Sequence, residues 1–148
     1  PLSVGVLATG VTLTPAATMN CRTATALTRW VTDVVGPAAV EILGDTPKAL
    51  KIGSHYQCRP RNRQRGAKLS EHAYANAIDV MSIRFHRREM LDIARQSADS
   101  PGARFQSVIR AASCKIFRTV LGPGKSKFHD DHFHFDMRQR KNDYRVCE

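Results

Sequence analysis

The feature that most constrains the fold is an alternation of polar and apolar side chains in the stretch KFHDDHFHFDMR, residues 127–138. Successive side chains of a β-strand point to opposite faces of the sheet. Phe133, Phe135 and Met137 would therefore share one face, which is typical of a protein core. The other face would carry two imidazoles and a carboxylate, at His132, His134 and Asp136. The stretch is predicted to be a strand with a core on one side and a chemical site on the other.

Length and composition indicate a globular chain. The 148 residues are 42% hydrophobic, and no apolar run approaches the roughly 20 residues that a membrane-spanning helix needs. One domain over residues 1–148 is therefore expected, with no membrane span. The opening PLSVGVLATGV lacks a basic region and starts on proline. We interpret it as a first strand or as a boundary from which an upstream segment has been removed.

The chain is strongly basic, with a formal net charge of +10. Such a charge predicts attraction to polyanions, either nucleic acid, anionic lipid or a cell wall rich in carboxylates and phosphates. A basic surface that serves solubility alone is the alternative. The densest cluster, CRPRNRQRGAK at residues 58–68, contains no aromatic side chain for base stacking. We therefore expect no specific nucleic-acid partner.

Four widely spaced cysteines, Cys21, Cys58, Cys114 and Cys147, contain no CxxC pair that would indicate a zinc knuckle. An even number of distant cysteines favours two disulfides and an oxidising compartment. Four reduced, buried thiols are the alternative. Three pairings are possible, and the sequence does not choose among them.

The remaining patterns predict an α+β fold. A helix is expected from Thr14-Pro15 to Gly36-Pro37, because threonine and proline suit the first positions of a helix. Further helices are predicted over residues 37–43, 87–98 and 103–113, and extended segments over 49–58, 76–85 and 115–122. The helices would pack on one side of a small, mainly antiparallel sheet.

Asp79 lies in the apolar strand NAIDVMSIRF, where an unpaired carboxylate would be very costly. It needs a cation, a metal or several hydrogen-bond donors. His72 precedes it by seven residues, and the downstream HxH offers further imidazoles. Two imidazoles and one carboxylate would form a three-ligand zinc site whose fourth position is open for water, as in catalytic sites.

Ser70, His72, Ala77 and Asp79 resemble the SxHxxGxAxD signature of zinc peptidases such as D-Ala-D-Ala carboxypeptidases, lysostaphin-type endopeptidases and penicillin-insensitive murein endopeptidases. HDDHFH is similar to the HxxHxH ending of the murein endopeptidases. More narrowly, YQCR, LSEHA, NAIDV, FRTVLGPG and HDDHFHFD resemble the bacterial extensin-like C-terminal domain family. Ala75 stands where the wider signature has glycine, and the added methyl is expected to crowd the turn between ligands.

The resemblance implies a fold like that of the hedgehog and D-Ala-D-Ala peptidase proteins. It also implies that His72, Asp79 and His134 bind one Zn²⁺ per chain. His132, on the same strand face as His134, would be the general base. His129 would polarise the carbonyl or stabilise the oxyanion.

Other side chains receive weaker assignments. Arg59 and Tyr56 are the implied substrate-binding residues, since SHYQCR parallels an S-x-Y-R pattern of the same group. Glu71 is excluded as a base, because adjacent residues of a strand face opposite ways. The aspartates near the histidines, Asp130, Asp131 and Asp136, would either orient the rings or lie in solvent.

The expected activity is hydrolysis of a peptide cross-link or stem-peptide bond of peptidoglycan through a metal-activated water, in the manner of a DD-endopeptidase rather than a carboxypeptidase. The expected location is the periplasm or cell envelope, with peptidoglycan as partner and the chain as a monomer. Two alternatives stay open: a zinc-bearing wall-binding domain without turnover, and a metal-dependent nuclease. The nuclease is less favoured, because hard cations such as Mg²⁺ prefer sites richer in carboxylates.

Overall fold

One mixed sheet of eight strands organises the computed structural model, which describes residues 1–148. The strands are β1 (Leu2–Val6), β2 (Thr12–Met19), β3 (Pro47–Ile52), β4 (Ala77–Phe85), β5 (Leu91–Asp92), β6 (Thr119–Leu121), β7 (Phe133–Asp136) and β8 (Val146–Cys147). Their order is β1-β2-β3-β4-β7-β6-β8, and β5 pairs with β4.

The α+β prediction is confirmed, but the prediction of a small, mainly antiparallel sheet is wrong. β2 pairs with β3 in parallel, and β6 pairs with β8 in parallel, so the sheet is mixed. The parallel pair arises because the chain leaves β2, runs through a long helical segment and returns to β3. A crossover of that length permits parallel pairing, which a tight turn does not.

The helices differ in part from the sequence prediction. Helix α1 (Cys21–Trp30) begins after Asn20, whose side chain accepts a hydrogen bond from the Thr23 N–H. It continues through π-helical turns at Val31–Val35, a short α2 (Gly36–Ala38) and further π-helical turns at Ala39–Leu43. The predicted start at Thr14-Pro15 is wrong because these residues lie in β2.

A second long helix, α3 (Pro101–Ser113), is capped by Ser100, whose Oγ accepts from the Ala103 N–H at 3.1 Å. It confirms the predicted helix over residues 103–113. The predicted helix over residues 87–98 is wrong, because β5 in its middle pairs with β4.

Both long helices cover the aromatic face of β7. Phe133 and Phe135 are fully buried, and the ring centroid of Phe135 lies 4.9 Å from that of Trp30 in α1. Trp30 Nε1–H donates to Ser113 Oγ in α3 at 2.8 Å, which ties the two helices together. The core predicted from Phe133 and Phe135 is therefore confirmed, and the opposite face of β7 is left for other side chains.

One disulfide, Cys114–Cys147, joins the end of α3 to β8 at the C-terminus. Cys21 and Cys58 are free and exposed, so the structure contains one of the two predicted bridges. No helix combines the length and the apolar character needed to cross a membrane.

Candidate metal centre

Three predicted ligands converge on the open face of the sheet. The antiparallel register of β4 and β7 places Asp79 directly opposite His134. His134 Nδ1 lies 3.0 Å and His72 Nε2 lies 3.2 Å from Asp79 Oδ1. Tetrahedral ligands about 2 Å from zinc are roughly 3.3 Å from one another, so these separations suit a common ion. The three side chains form a cluster that could hold a metal ion.

His72 is held in one tautomer and one orientation. It lies in a 3₁₀ turn, Glu71–Tyr74, whose N-cap residue Ser70 accepts from the His72 N–H. Its Nδ1 donates to the carbonyl oxygen of His55 at 2.8 Å. The other ring nitrogen, Nε2, is buried and makes no hydrogen bond. A buried polar atom without a partner is costly, and a metal ion at this cluster would satisfy it.

His134 lies between two carboxylates. Its Nδ1 contacts Asp79 at 3.0 Å, and its Nε2 contacts Asp136 Oδ2 at 2.8 Å. Burial lowers the pKa of His134, but the hydrogen bonds to Asp136 and Asp79 outweigh this and raise the pKa to about 9. In the metal-free protein the ring is therefore protonated at neutral pH and donates to both carboxylates. A metal ion would replace the Nδ1 proton, while Asp136 would keep the ring in place.

The two carboxylates are ionised. Burial raises the pKa of Asp79, yet the contacts with His134 and His72 lower it far below the ordinary value. Burial likewise raises the pKa of Asp136, and the hydrogen bond from His134 lowers it more. Asp136 is 3% exposed, so it orients a ring and does not lie in solvent.

The structure also brings His132 and His129 to the cluster. His132 Nε2 lies 3.7 Å from Asp79 Oδ2, and its Nδ1 lies 2.8 Å from Asp131 Oδ1. The His129 ring centroid lies 5.2 Å from that of His132, and His129 Nδ1 is buried without a partner. Burial and the neighbouring histidines lower the pKa of His129 to about 4, so this ring is neutral.

The remaining predictions concern the surrounding cleft. Arg59 lines the cleft, whereas Tyr56 does not and is 49% exposed. Glu71 lines it together with His72. The strand-based reason for excluding Glu71 is wrong, because the segment is a 3₁₀ turn, to which the alternation of strand side chains does not apply.

Ala75 adopts the left-handed conformation with φ of 54° at the end of the Glu71–Tyr74 turn. This is the position at which the wider signature has glycine, the residue that adopts such a φ without steric cost. The methyl group is accommodated, since Ala75 is buried and its N–H still donates to the His72 carbonyl oxygen at 3.2 Å.

The cleft has a volume of about 400 Å³ and contains groups that the sequence did not single out. Arginines from the segment before Ser70 and from the segment after β7 line the cleft, among them Arg61, Arg138 and Arg140. In the sequence they stand out only as members of the basic cluster at residues 58–68 and of the basic segment after β7. His55 acts through its backbone carbonyl, for which a sequence carries no side-chain signal.

An α+β chain with a buried two-histidine, one-aspartate cluster on an open sheet face defines a candidate metalloprotein. The chain belongs to the family described as extensin-like protein C-terminus, whose model matches residues 1–148. No match was found among curated proteins or among solved structures.

Proposed function

We propose that the chain is a zinc-dependent peptidoglycan hydrolase that cleaves a peptide cross-link or stem-peptide bond in the manner of a DD-endopeptidase. The observation that carries the proposal is the pairing of a three-ligand cluster with two further histidines beside it. Resemblance of the ligand pattern to the zinc peptidase signature supports the reaction class.

Zinc fits the donor set. Two imidazoles and a carboxylate are typical ligands of catalytic zinc, and magnesium or calcium would require more oxygen ligands. The buried Nε2 of His72, which has no hydrogen-bond partner, supports the presence of a metal ion at this cluster. When bound, zinc would supply Lewis acidity to the scissile carbonyl and would lower the pKa of a water molecule toward ~7.

His132 is placed to move the proton of the attacking water. Its Nδ1 lies 2.8 Å from Asp131 Oδ1, and its Nε2 is directed toward the cluster, 3.7 Å from Asp79 Oδ2. Nε2 would accept the proton of the water and return it to the leaving amine. His129, neutral because of its lowered pKa of about 4, can donate an N–H to the developing oxyanion without carrying a charge.

A peptidoglycan substrate agrees with the charge and the cysteines. The net charge of +10 would retain the protein on an anionic wall. The Cys114–Cys147 disulfide supports an oxidising compartment such as the periplasm or cell envelope. The protein would act there as a monomer.

A zinc-bearing wall-binding domain without turnover is the second candidate. It would need His72, Asp79 and His134 but not the two additional histidines. The position of His132 beside the cluster favours the enzyme over this alternative.

The test is mass spectrometry of purified peptidoglycan fragments after incubation with the protein, with and without a chelator. Cleavage of a peptide bond that stops with chelator and returns with zinc would support the hydrolase. Binding to the wall without any new fragment would support the binding domain. Release of nucleotides from a nucleic-acid control, with peptidoglycan intact, would support a nuclease.

A further inference from the structure

The walls of the cleft carry more positive than negative side chains. Its lining includes five arginines: Arg59, Arg61, Arg63, Arg138 and Arg140. Three acidic residues line the same cleft, and all are engaged: Asp79 and Asp136 with the histidines, and Glu71 with Asn76 Nδ2 at 2.9 Å. The nearest carboxylate to any of these arginines is 3.9 Å away, between Arg138 Nε and Glu71 Oε1. The carboxylates of the cleft therefore leave most of the arginine charge unpaired.

The Arg61 side chain differs from those of the other four arginines in having no hydrogen-bond or ion-pair partner. Arg140 donates to the carbonyl oxygen of Arg118 and to Thr119 Oγ1, so its guanidinium is held in place as part of the wall. The Arg61 backbone is also fixed, since its N–H donates to the Lys68 carbonyl oxygen at 2.9 Å. Its half-buried side chain, however, makes neither a hydrogen bond nor an ion pair. A guanidinium of this kind is available to a ligand in the cleft.

We propose that the cleft recognises the free carboxylates of an acidic peptide and that Arg61 is a specificity-determining contact. This inference rests on the proposed peptidoglycan substrate and names the chemical groups by which the substrate is selected. Guanidinium groups bind carboxylates through two parallel hydrogen bonds, which gives geometric as well as electrostatic selection. A nucleic-acid strand fits less well, because its regularly spaced phosphates would also approach the three acidic residues of the cleft.

The test compares two synthetic peptides of the same stem-type sequence, one with two free carboxylates and one with both converted to amides. Binding is measured by calorimetry with chelator present, so that neither turnover nor metal coordination of a carboxylate enters the readout. A single-stranded oligonucleotide serves as a third probe. The variants are Arg61→Gln and the matched control Arg65→Gln, which alters an exposed arginine of the same loop outside the cleft.

The wild type and Arg65→Gln should bind the free-acid peptide roughly tenfold more tightly than the diamide, as expected for one charge-assisted contact. Arg61→Gln should lose most of this preference. Equal binding of both peptides by the wild type would overturn the inference, and so would a preference that is undiminished in Arg61→Gln. Tighter binding of the oligonucleotide that Arg61→Gln abolishes would assign the cleft to nucleic acid instead. Discrimination by Arg61 without any cleavage of peptidoglycan would leave the inference standing and contradict only the hydrolase.

Discussion

The two faces of β7 are formed by alternate residues of one four-residue strand, and different forces stabilise them. On one face Phe133 and Phe135 are fully buried, and Phe135 stacks on Phe117 with ring centroids 4.3 Å apart. Burial of apolar area and close packing stabilise this face, and neither depends on hydrogen-bond direction. On the other face, His134 and Asp136 are oriented by hydrogen bonds of defined partner and length.

This difference predicts how each face responds to substitution. The aromatic face should respond in stability, because a truncated ring leaves a cavity. The histidine face should respond in metal binding and turnover, because each ring there has one nitrogen held and one directed to the cluster. Variants on the two faces can therefore separate fold from function within one strand.

The largest expected effect is loss of the metal. His134→Ala should abolish tight zinc binding, since it removes one of three ligands and leaves two. His72→Ala and Asp79→Ala should do the same. Elemental analysis of purified protein should give about one zinc per chain in the wild type and none in the variants. Full zinc content in any variant would remove that residue from the ligand set.

His132→Ala should separate catalysis from metal binding. The variant should retain zinc, because His132 is not among the three converging ligands. Turnover of cross-linked muropeptides should fall by ~10²–10⁴-fold, the usual contribution of general acid–base catalysis. His129→Ala should keep zinc and show a smaller loss. Cleavage by zinc-loaded His132→Ala at the wild-type rate would contradict the mechanism.

On the aromatic face, Phe135→Ala should lower the free energy of unfolding by about 3–5 kcal/mol, from lost burial and the cavity that remains. Urea denaturation of chelator-treated protein measures this. The fraction that stays folded should still bind zinc with nearly wild-type affinity, since the His134 side of the strand is intact. A variant as stable as the wild type that has lost zinc would reverse the roles assigned to the two faces.

More of the candidate metal site than of the sheet topology could be predicted from the sequence. Strand alternation predicts that His134 and Phe135 lie on opposite faces. The cost of burying the Asp79 carboxylate predicts that it has a partner. Both inferences depend only on local rules. The sheet order depends on pairings between distant segments. Thr14-Pro15 has the local features of a helix start, yet the surrounding residues pair with β1 and β3. Proline is tolerated there because Pro15 takes no part in the pairing of β2 with β1 or β3.

Side-chain surroundings were the least predictable. The histidine-rich stretch indicated Asp136 only as an acid that would either orient a ring or lie in solvent. Its burial follows from the pairing of Asp136 with Ala77 on β4 and Thr119 on β6, which places strands on both sides of it. The Glu71–Tyr74 turn is not predictable from the sequence pattern, because a single turn of 3₁₀ helix carries too few residues to show a period.

The smallest expected effect comes from Asp136→Asn, which tests how far the histidine face depends on its outer carboxylate. An amide oxygen can still accept from His134 Nε2, but without the charge that raises the basicity of the ring. Zinc affinity should fall ~10–100-fold, the usual range for loss of a group that orients a metal ligand. The measurement is competition with a chromogenic zinc chelator, and the matched control is Asp130→Asn, an exposed acid that makes no ion pair with the histidines. Because the fold of β7 also depends on Phe133 and Phe135, the circular dichroism of Asp136→Asn should be that of the wild type. Wild-type zinc affinity in this variant would mean that Asp136 is not needed to orient His134. The metal affinity of the histidine face would then depend on the three ligands alone and not on the carboxylate behind them.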